Sequence, residues 1–578
     1  MVNVKNLFGM AVMATALVGC SSNDNLAPDG KDNVGKAGEA YASFTINLPT
    51  TTGTRADEPV KDGTPSFAEG TAAEYEVKNG TILIFDNSGN FVESVELGTM
   101  NPWTDVKKDG VTTAAIATVK LNKVSVGGNY QALVLLNNDV DATTKKVTLP
   151  TATTDTYENW SKDISKVNAD NYAKTTDGIF MANAPMYTSK TTEPTTLVKI
   201  KKVCASPEEA QATAATVVCV ERGLAKVTMN DFTTSGYSIS GGTYDGATVK
   251  IEKWQLDVTN KSTYPVHQIG GLSSATTGFA DIWSTPRFYD GDNKTFKRVY
   301  WGVDPNYDNT DYLTLSNCKN AFNMIENKDV KGDAGSANPQ YCLENTFNLD
   351  NMMQGQTTRV VFKAVFTPKD FTSTEKTFYK IGNNTAIWSK ENLEKQIKTL
   401  AINAMKITDP VEQAMYSVDL SKGSNISGVA GQHLIAADNI IFDPGSSTKT
   451  SKVDDGVIKE INEKLGLSEE DPTAHKEKVG ISTYLNGEAY YIARIKHFNE
   501  LTPWTAGTAY GTDDAKFLGR YGVLRNNWYD LSVTSISGLG YPDVPEVKPT
   551  LPDDENDQYV NVEVKILSWA KRSQQIKL

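Results

Sequence analysis

The stretch that decides the fold is Ala42-Ser43-Phe44-Thr45-Ile46-Asn47-Leu48, in which apolar and polar residues alternate. A second stretch of the same design, Val560-Asn561-Val562-Glu563-Val564-Lys565-Ile566, stands near the end of the chain. A period of two puts alternate side chains on one face of a strand, so both stretches are predicted to be strands with one buried face. The sets expected to be buried are Ala42, Phe44, Ile46, Leu48 and Val560, Val562, Val564, Ile566.

Arg55 follows the first strand in a loop of small residues, Thr51-Thr52-Gly53-Thr54-Arg55-Ala56. Exposed loops of this kind are preferred sites of proteolysis. A cut between Arg55 and Ala56 would detach the first strand and leave a groove. The terminal strand of another molecule has the pattern to fill that groove, and Trp569 would add an aromatic anchor. The two strands together predict a self-assembling polymer.

The N-terminus has the features of a lipoprotein signal peptide. Lys5 precedes an apolar run over residues 7–18, and Leu17-Val18-Gly19-Cys20 forms a lipobox. The run is too short to span a bilayer as a stable helix. We therefore predict a signal peptide over residues 1–20, with Cys20 as the lipidated, palmitate-bearing N-terminus, and a tether with the removable strand over residues 21–55.

The composition favours a mostly β protein with a few short helices. Short runs rich in Val, Ile, Thr and Tyr alternate with turn dipeptides along the 578 residues. Two helices are predicted, over residues 390–400 with Ser389 as the cap and over residues 457–465. A fresh set of strands after residue 235 predicts an N-terminal β domain over 56–235 and a C-terminal β domain over 236–541. The net charge of −13 disfavours nucleic acid as a partner.

Residues 542–578 are predicted to be a linker and a tail strand. The prolines and the acidic run Asp553-Asp554-Glu555-Asn556-Asp557 indicate an extended, self-repelling linker that does not pack. A strand beyond such a linker either folds back on its own sheet or adds to another chain. Both outcomes are open from the residues alone.

The cysteines suit an exported protein, with four left once Cys20 carries lipid. Proximity in sequence predicts the pairs Cys204–Cys219 and Cys318–Cys342, each worth about 3 kcal/mol in the chain-entropy model. Three connectivities are possible, and free buried thiols remain an alternative.

No catalytic, cofactor or metal site is predicted. The histidines are isolated, and the chain lacks the glycine-rich and nucleophile motifs of common enzymes. The run Asp304-Pro305-Asn306-Tyr307-Asp308-Asn309 resembles the start of a calcium loop, but Asn309 and Leu315 stand where Gly and Glu are needed. A solvated turn is the prediction here.

Several segments resemble the Bacteroidales fimbrilins, the major-subunit family of short (minor-type) fimbriae. Arg525-Asn526-Asn527-Trp528-Tyr529, followed by Ile536 and Leu539-Gly540, is similar to the family's signature RNN-x-Y … I-x-x-L-G. Residues 218–225, 364–369 and 130–138, together with the terminal strand and Ser568-Trp569, match in the same order. The likeness runs from the lipobox to the last residue.

The resemblance implies two transthyretin-like β-sandwich domains and polymerisation by donor-strand exchange. It implies cutting after Arg55 by an Arg-specific, trypsin-like protease, with residues 42–48 as the departing strand and the tail from Val560 as the donor. The implied partners are copies of the chain, anchor and tip subunits of a fimbria, and host or bacterial surface receptors. Because the chain has both a cleavable strand and a donor tail, it resembles a shaft subunit that supports adhesion and biofilm formation.

Two other functions remain open. The chain would be a monomeric, glycan-binding surface lipoprotein if the Arg55 loop stays uncut. It would be a tip adhesin if its tail packs within its own chain.

Overall fold

The computed structural model describes residues 39–49, 67–68, 70–97, 104–105, 111–151, 155–186, 194–232, 235–270, 272, 299–335, 337–369, 371, 376–425, 431–468, 479–497, 505, 507–554 and 560–569. Within these residues β-strands dominate and the helices are short, which confirms the mostly β fold class.

The strands in chain order are β1 (Ala40–Pro49), β2 (Phe67–Ala68), β3 (Gly80–Asp86), β4 (Phe91–Glu96), β5 (Thr104–Asp105), β6 (Val111–Leu121), β7 (Tyr130–Leu136), β8 (Met181–Asn183), β9 (Val198–Lys199), β10 (Thr216–Arg222), β11 (Ala225–Met229), β12 (Tyr237–Ser238), β13 (Thr248–Asp257), β14 (Thr259–Asn260), β15 (Phe322–Asn323), β16 (Gln340–Cys342), β17 (Arg359–Thr367), β18 (Phe378–Ile381), β19 (Ile387–Ser389), β20 (Tyr416–Val418), β21 (Ser424–Asn425), β22 (Gln432–Leu434), β23 (Ile440–Phe442), β24 (Ile481–Tyr484), β25 (Glu488–Arg494), β26 (Asn527–Ile536) and β27 (Val560–Trp569). The helices are α1 (Ala72–Tyr75), α2 (Tyr157–Ser161), α3 (Ala169–Tyr172), α4 (Pro207–Ala212), α5 (Leu315–Ala321), α6 (Lys390–Ala404), α7 (Pro410–Ala414) and α8 (Asp455–Leu465).

The first half of the described chain forms a sheet in the order β4-β3-β7-β8-β10-β1-β6-β5, with β9 paired to β7. Apolar side chains from β1, β3, β6, β7 and β10 meet in one buried cluster. The sheet therefore folds over this cluster in the manner of a β-sandwich. The strand β1 lies in the interior of this sheet, and its Phe44 and Ile46 side chains are fully buried in the cluster.

The second half packs two sheets around another core. One has the order β16-β11-β26-β27-β2 and the other the order β12-β13-β17-β25. Residues of both sheets, including Met229 and Leu531 from the first and Phe362 and Tyr491 from the second, form one buried cluster. This is the second sandwich.

The chain passes from one sandwich to the other between β10 and β11, which are separated by only Gly223 and Leu224. The strand β10 pairs with β1 and β8, whereas β11 pairs with β16 and β26. A division into domains at residue 235 stays a prediction.

A lobe with a core of its own is inserted between the neighbouring strands β17 and β25. It combines α6, α7 and α8 with the sheet β19-β18-β24-β22-β21. The helix α6 begins after Ser389, whose side chain accepts the N–H of Asn392, and it buries Leu393 and Ile397. The predicted helices over 390–400 and 457–465 are both present, but the sequence did not indicate that they share a separate core.

The two sandwiches meet at a buried polar junction. The Glu74 carboxylate in α1 lies 2.8 Å from Lys226 Nζ and accepts the Tyr341 hydroxyl, while its carbonyl accepts Arg222 Nε at 3.0 Å. Burial alone would raise the pKa of Glu74, but the bonds from Lys226 and Tyr341 outweigh it and lower the pKa. Lys226 also lies 3.6 Å from the centre of the Trp528 ring. Since Arg222 ends β10 and Lys226 belongs to β11, this cluster joins the two halves.

The prediction that the linker from residue 542 does not pack is wrong for residues 542–554. The segment 541–554, called the C-terminal strap here, lies along the second sandwich. Tyr541 bridges Tyr490, the Pro545 carbonyl accepts Arg359 Nη2 at 2.6 Å, and Pro552, Asp553 and Asp554 are buried. The strap packs because residues distant in sequence supply partners for its carbonyls and carboxylates.

The prediction of a solvated turn at Asp304 is also wrong, because the turn is buried. Asp304 is only 3% exposed, and its carboxylate accepts the N–H groups of Asn306 and Thr346 at 2.6 and 2.7 Å and the Asn260 amide at 2.7 Å. Burial raises the pKa of Asp304 to about 7 in spite of these hydrogen bonds. Among the described residues no cluster of His, Cys, Asp or Glu is suited to hold a metal ion.

The central position of β1 predicts a strong effect of Ile46→Ala on the uncut chain. We expect the free energy of unfolding to fall by about 2–5 kcal/mol, because the change opens a cavity in the core. Ile116, on the adjacent strand β6, is 56% exposed and serves as the matched control. Ile116→Ala is expected to stay within about 0.5 kcal/mol. Denaturant unfolding measures both, and equal losses would contradict this account of β1.

Asp304 predicts a pH dependence of a defined sign. A folded-state pKa of about 7, above the unfolded value near 3.8, makes this group stabilising below about pH 4 and removes that contribution as the pH rises through 7. As the pH rises from 4 to 7, the free energy of unfolding of Asp304→Asn should therefore increase by about 2–4 kcal/mol relative to that of the wild type. The exposed Asp308→Asn in the same turn is the control. Parallel stability profiles for wild type and Asp304→Asn would refute this.

Candidate functional site

The strand β1 is hydrogen-bonded along both edges. It pairs antiparallel with β6 from Ala40 opposite Leu121 to Pro49 opposite Val111, and parallel with β10 over Phe44–Asn47. A strand in this position satisfies two neighbouring backbones at once. Its removal would open an edge on β6 and another on β10.

The predicted displaced residues all lie in the core. Ala42, Phe44 and Ile46 are fully buried, and Leu48 is 2% exposed. They pack in the cluster that also holds side chains of β6 and β10. The groove left by β1 would therefore be apolar on its floor and polar along its two backbone edges.

The other face of β1 differs from the sequence expectation, since Ser43, Thr45 and Asn47 are buried rather than solvated. The Ser43 hydroxyl hydrogen-bonds Thr118 Oγ1 at 2.8 Å. Within the described part of the chain, Thr45 Oγ1 and Asn47 Oδ1 have no hydrogen-bond partner. Each unsatisfied buried group costs about 1–3 kcal/mol. The fit of β1 is thus good on one face and imperfect on the other, which sequence alternation cannot reveal.

The amino-terminal end of β1 is closed by a further segment. Tyr41 and Cys204 exchange two backbone hydrogen bonds of 2.9 and 2.8 Å, and Lys120 pairs with Glu39. This end of the groove is therefore bounded by β6 on one side and by the chain around Cys204 on the other.

The tail strand β27 pairs with β26 of its own chain. The antiparallel ladder runs from Asn527 opposite Ser568 to Ile536 opposite Val560. At the other edge of β27, Ser568 and Trp569 pair with the two residues of β2. Of the two outcomes left open from the sequence, the single chain adopts the one in which the tail completes its own sheet.

The register places the predicted donor residues opposite core positions. Val560, Val562, Val564 and Ile566 stand across from Ile536, Val533, Leu531 and Tyr529, respectively. Those four side chains belong to or pack against the second core. The apolar positions of the tail sequence are therefore in register with apolar positions of β26.

The predicted disulfides are wrong. Cys204, Cys318 and Cys342 are free and buried, so neither Cys204–Cys219 nor Cys318–Cys342 forms. Cys318 lies in α5, whereas Cys342 lies on β16 in the second core. Short separation along the chain did not bring Cys318 and Cys342 together, because a helix and a strand place them in different buried clusters.

Three predicted site residues, Cys20, Arg55 and Ala56, lie outside the described residues. Arg55 falls between β1 and β2 in sequence. Within the described residues no helix is long and apolar enough to cross a membrane.

Two histidines have structural roles that the sequence did not indicate. His267 Nδ1 lies 2.6 Å from Glu221 Oε1, and His497 Nδ1 lies 2.7 Å from the Tyr529 hydroxyl. Both side chains are buried. The first pair adds to the contacts between β10 and the second half of the chain.

Residues 482–575 match the family model described as "Major fimbrial subunit protein type IV, Fimbrillin, C-terminal". No curated protein sequence matches the chain.

Solved structures with a similar chain course include three proteins of the Bacteroidales. A fimbrilin from Porphyromonas gingivalis is 13% identical, with coverage of 92% of this chain and 99% of its own and a TM-score of 0.30. A Parabacteroides distasonis protein assigned to cell adhesion is 11% identical, with 92% and 99% covered and a TM-score of 0.37. The tip fimbrial protein Mfa3 from Porphyromonas gingivalis is 10% identical, with 92% and 100% covered and a TM-score of 0.29.

Since none of these TM-scores reaches 0.5, the assignment rests on the sequence match. That match spans β25, β26, the C-terminal strap and β27. The C-terminal part of this chain, residues 482–575, is thus similar to the C-terminal region of the fimbrillin family of fimbrial subunits.

Proposed function

We propose that this fimbrial protein is a shaft subunit that polymerises by donor-strand exchange. It is exported as an outer-membrane lipoprotein through Cys20 and cut after Arg55. The tail strand β27 of one copy then fills the groove that β1 leaves in the next copy. The filament stands on the cell surface and supports adhesion and biofilm formation. The observation that carries the proposal is the interior position of β1 between β6 and β10.

The emptied groove would bind a replacement strand with a favourable free energy. Burial of each large side chain at positions such as Phe44, Ile46 and Leu48 contributes about 1.5–3 kcal/mol. The emptied groove also leaves unpaired N–H and C=O groups on two strands, which bind an incoming strand by β-augmentation.

The tail suits the groove in length and pattern. The strands β1 and β27 both contain ten residues, and both alternate apolar and polar positions. In its own sheet β27 pairs with β26 along its length but with only two residues of β2. In the groove a strand pairs with β6 along its length and with four residues of β10. The exchange therefore adds backbone pairing for the tail.

The partners that follow from this function are other copies of the chain and the anchor and tip subunits of the same fimbria. An Arg-specific, trypsin-like protease makes the cut, and host or bacterial surface receptors are the targets of adhesion. The net charge of −13 gives no attraction to nucleic acid.

A second candidate function is a tip subunit, and one observation favours it. In the single chain β27 is docked on β26 rather than free. A tip subunit has no need to donate its tail and keeps it there. The two candidates differ in whether β27 leaves β26 after the cut.

The cut predicts a defined mature N-terminus. Subunits sheared from the cell surface should begin Ala-Asp-Glu-Pro, from Ala56 onward, when read by N-terminal sequencing. Arg55→Ala should leave uncut, unpolymerised lipoprotein because β1 stays in its groove. Lys61→Ala, a basic residue in the same inter-strand segment, should be cut and assembled normally. Filament subunits that retain residues before Arg55 would rule the processing step out.

The exchange predicts that the tail forms disulfide crosslinks within its own chain before the cut and with a neighbouring chain after it. Val533→Cys with Val562→Cys, which are paired across β26 and β27, should crosslink within the uncut chain. Ala117, opposite Phe44 on β6, marks the groove wall. Ala117→Cys is combined in three separate variants with Val560→Cys, Val562→Cys or Val564→Cys. After the cut, the variant whose register brings the two cysteines opposite each other should give ladders of crosslinked subunits.

Two tail substitutions provide the control. Val564→Asp should abolish filaments, since an unpaired buried carboxylate costs several kcal/mol. Glu563→Gln, on the other face of the same strand, should assemble nearly as the wild type. If only the Val533–Val562 crosslink forms after the cut, the tail stays in its own sheet and the tip function replaces the shaft function.

A further inference from the structure

The end of the C-terminal strap is fixed by two adjacent carboxylates, called the tail clasp here: Asp553 and Asp554. Asp553 is fully buried, and its Oδ1 accepts the Tyr510 hydroxyl at 2.7 Å. Asp554 is 5% exposed, and its carboxylate accepts the Tyr521 hydroxyl at 2.7 Å and lies 3.2 Å from Arg520 Nη2. The two charges that were expected to keep this segment solvated therefore hold it in place.

The backbone of the clasp is held as well. Arg494 Nε donates to the Asp553 carbonyl at 2.9 Å, and the Gly507 N–H donates to the Asp554 carbonyl at 3.0 Å. The Asp553 N–H donates to the Met352 carbonyl at 3.0 Å. All of these partners lie outside β26 and β27. The hydrogen bonds of the clasp named here therefore do not include the tail strand.

The clasp leaves the tail a short reach. Only residues 555–559 separate Asp554 from Val560, the first residue of β27. A fully extended chain of this length spans about 20 Å. Had the whole segment from residue 542 been a free linker, the reach would have been about 60 Å.

If the tail strand takes the place of β1 and runs in the same direction, it enters the groove at the end where Tyr41 lies. Beside this entrance, the Gly127 N–H donates to the Val203 carbonyl next to Cys204, the backbone partner of Tyr41. The residue before Gly127 is Val126, an apolar side chain that is 48% exposed. The groove entrance of the acceptor thus carries an apolar contact point.

The surface around the clasp carries a second apolar contact point. This clasp face comprises residues 349–353, 507–516 and 548–551. Leu551 within it is 42% exposed, although its carbonyl accepts the Gln354 N–H at 2.9 Å and fixes its position. The clasp face therefore presents an exposed apolar side chain on a hydrogen-bonded backbone, three residues before Asp554.

We propose that the clasp face is the docking surface for a second copy of this chain, with Leu551 of one copy against the Val126 region of the next. This interface rests on the donor-strand exchange proposed above, because a tail reach of about 20 Å brings the two surfaces together. Tail insertion and surface docking then act as a bivalent contact, in which the short tether keeps the second contact at a high effective concentration.

The test uses the full-length chain after cutting at Arg55. Leu551→Cys with Val126→Cys should give disulfide ladders between copies. A twelve-residue Gly/Ser insertion after Asn556 lengthens the tether, and it should lower that crosslinking about fivefold or more while tail insertion continues. The same insertion after Ser446, in an exposed turn of the helical lobe, should leave the crosslinking unchanged. Val411→Cys, at a 67% exposed position in α7, replaces Leu551→Cys as the control and should give no ladder.

The tail crosslinks between β27 and Ala117 serve as the internal reference. Suppose that the tail pair gives ladders but Leu551→Cys with Val126→Cys gives none. The docking surface is then overturned and the proposed function stands. The same conclusion follows if the Leu551–Val126 ladders are not reduced by the longer tether. Absence of ladders from both pairs overturns the exchange and the docking surface together.

Discussion

The backbone pairing of β1 is the constraint on which the N-terminal sandwich depends. One strand at the beginning of the described chain closes the ladder of β6 and covers part of β10, while its apolar face fills the core between them. A sheet built in this way needs the strand but not its covalent connection, because backbone hydrogen bonds and apolar contacts recognise any chain of suitable pattern.

The second sandwich has the complementary property. Its sheet includes β27 as a strand that pairs mainly along one edge. The polar junction at Glu74 and Lys226 joins the two sandwiches through buried, mutually satisfied groups. Loss of one partner in such a pair leaves a buried charge uncompensated, at about 3–5 kcal/mol. The two sandwiches are thus connected through buried groups that satisfy one another.

Local pattern predicted much of this fold. Alternation located β1 and β27, and Ser389 located the start of α6. What the sequence did not reveal depends on contacts between distant residues. The strap packs because Tyr510, Tyr521 and Arg520 accommodate Asp553 and Asp554. Cys318 and Cys342 stay apart because a helix and a sheet edge hold them in different clusters. Neither arrangement leaves a signal in composition or periodicity.

The near-continuity of β10 and β11 has a mechanical consequence. The strand β10 lies against β1 in the first sandwich, and β11 lies against β26 in the second, with two residues between them. A pull applied along these strands travels from one sandwich to the other through the covalent backbone, and the ladders on either side are loaded in shear, with many hydrogen bonds sharing the force. The loops and the helical lobe stand outside this path. Stretching would therefore load these paired strands, while the loops and the helical lobe would carry little of the force.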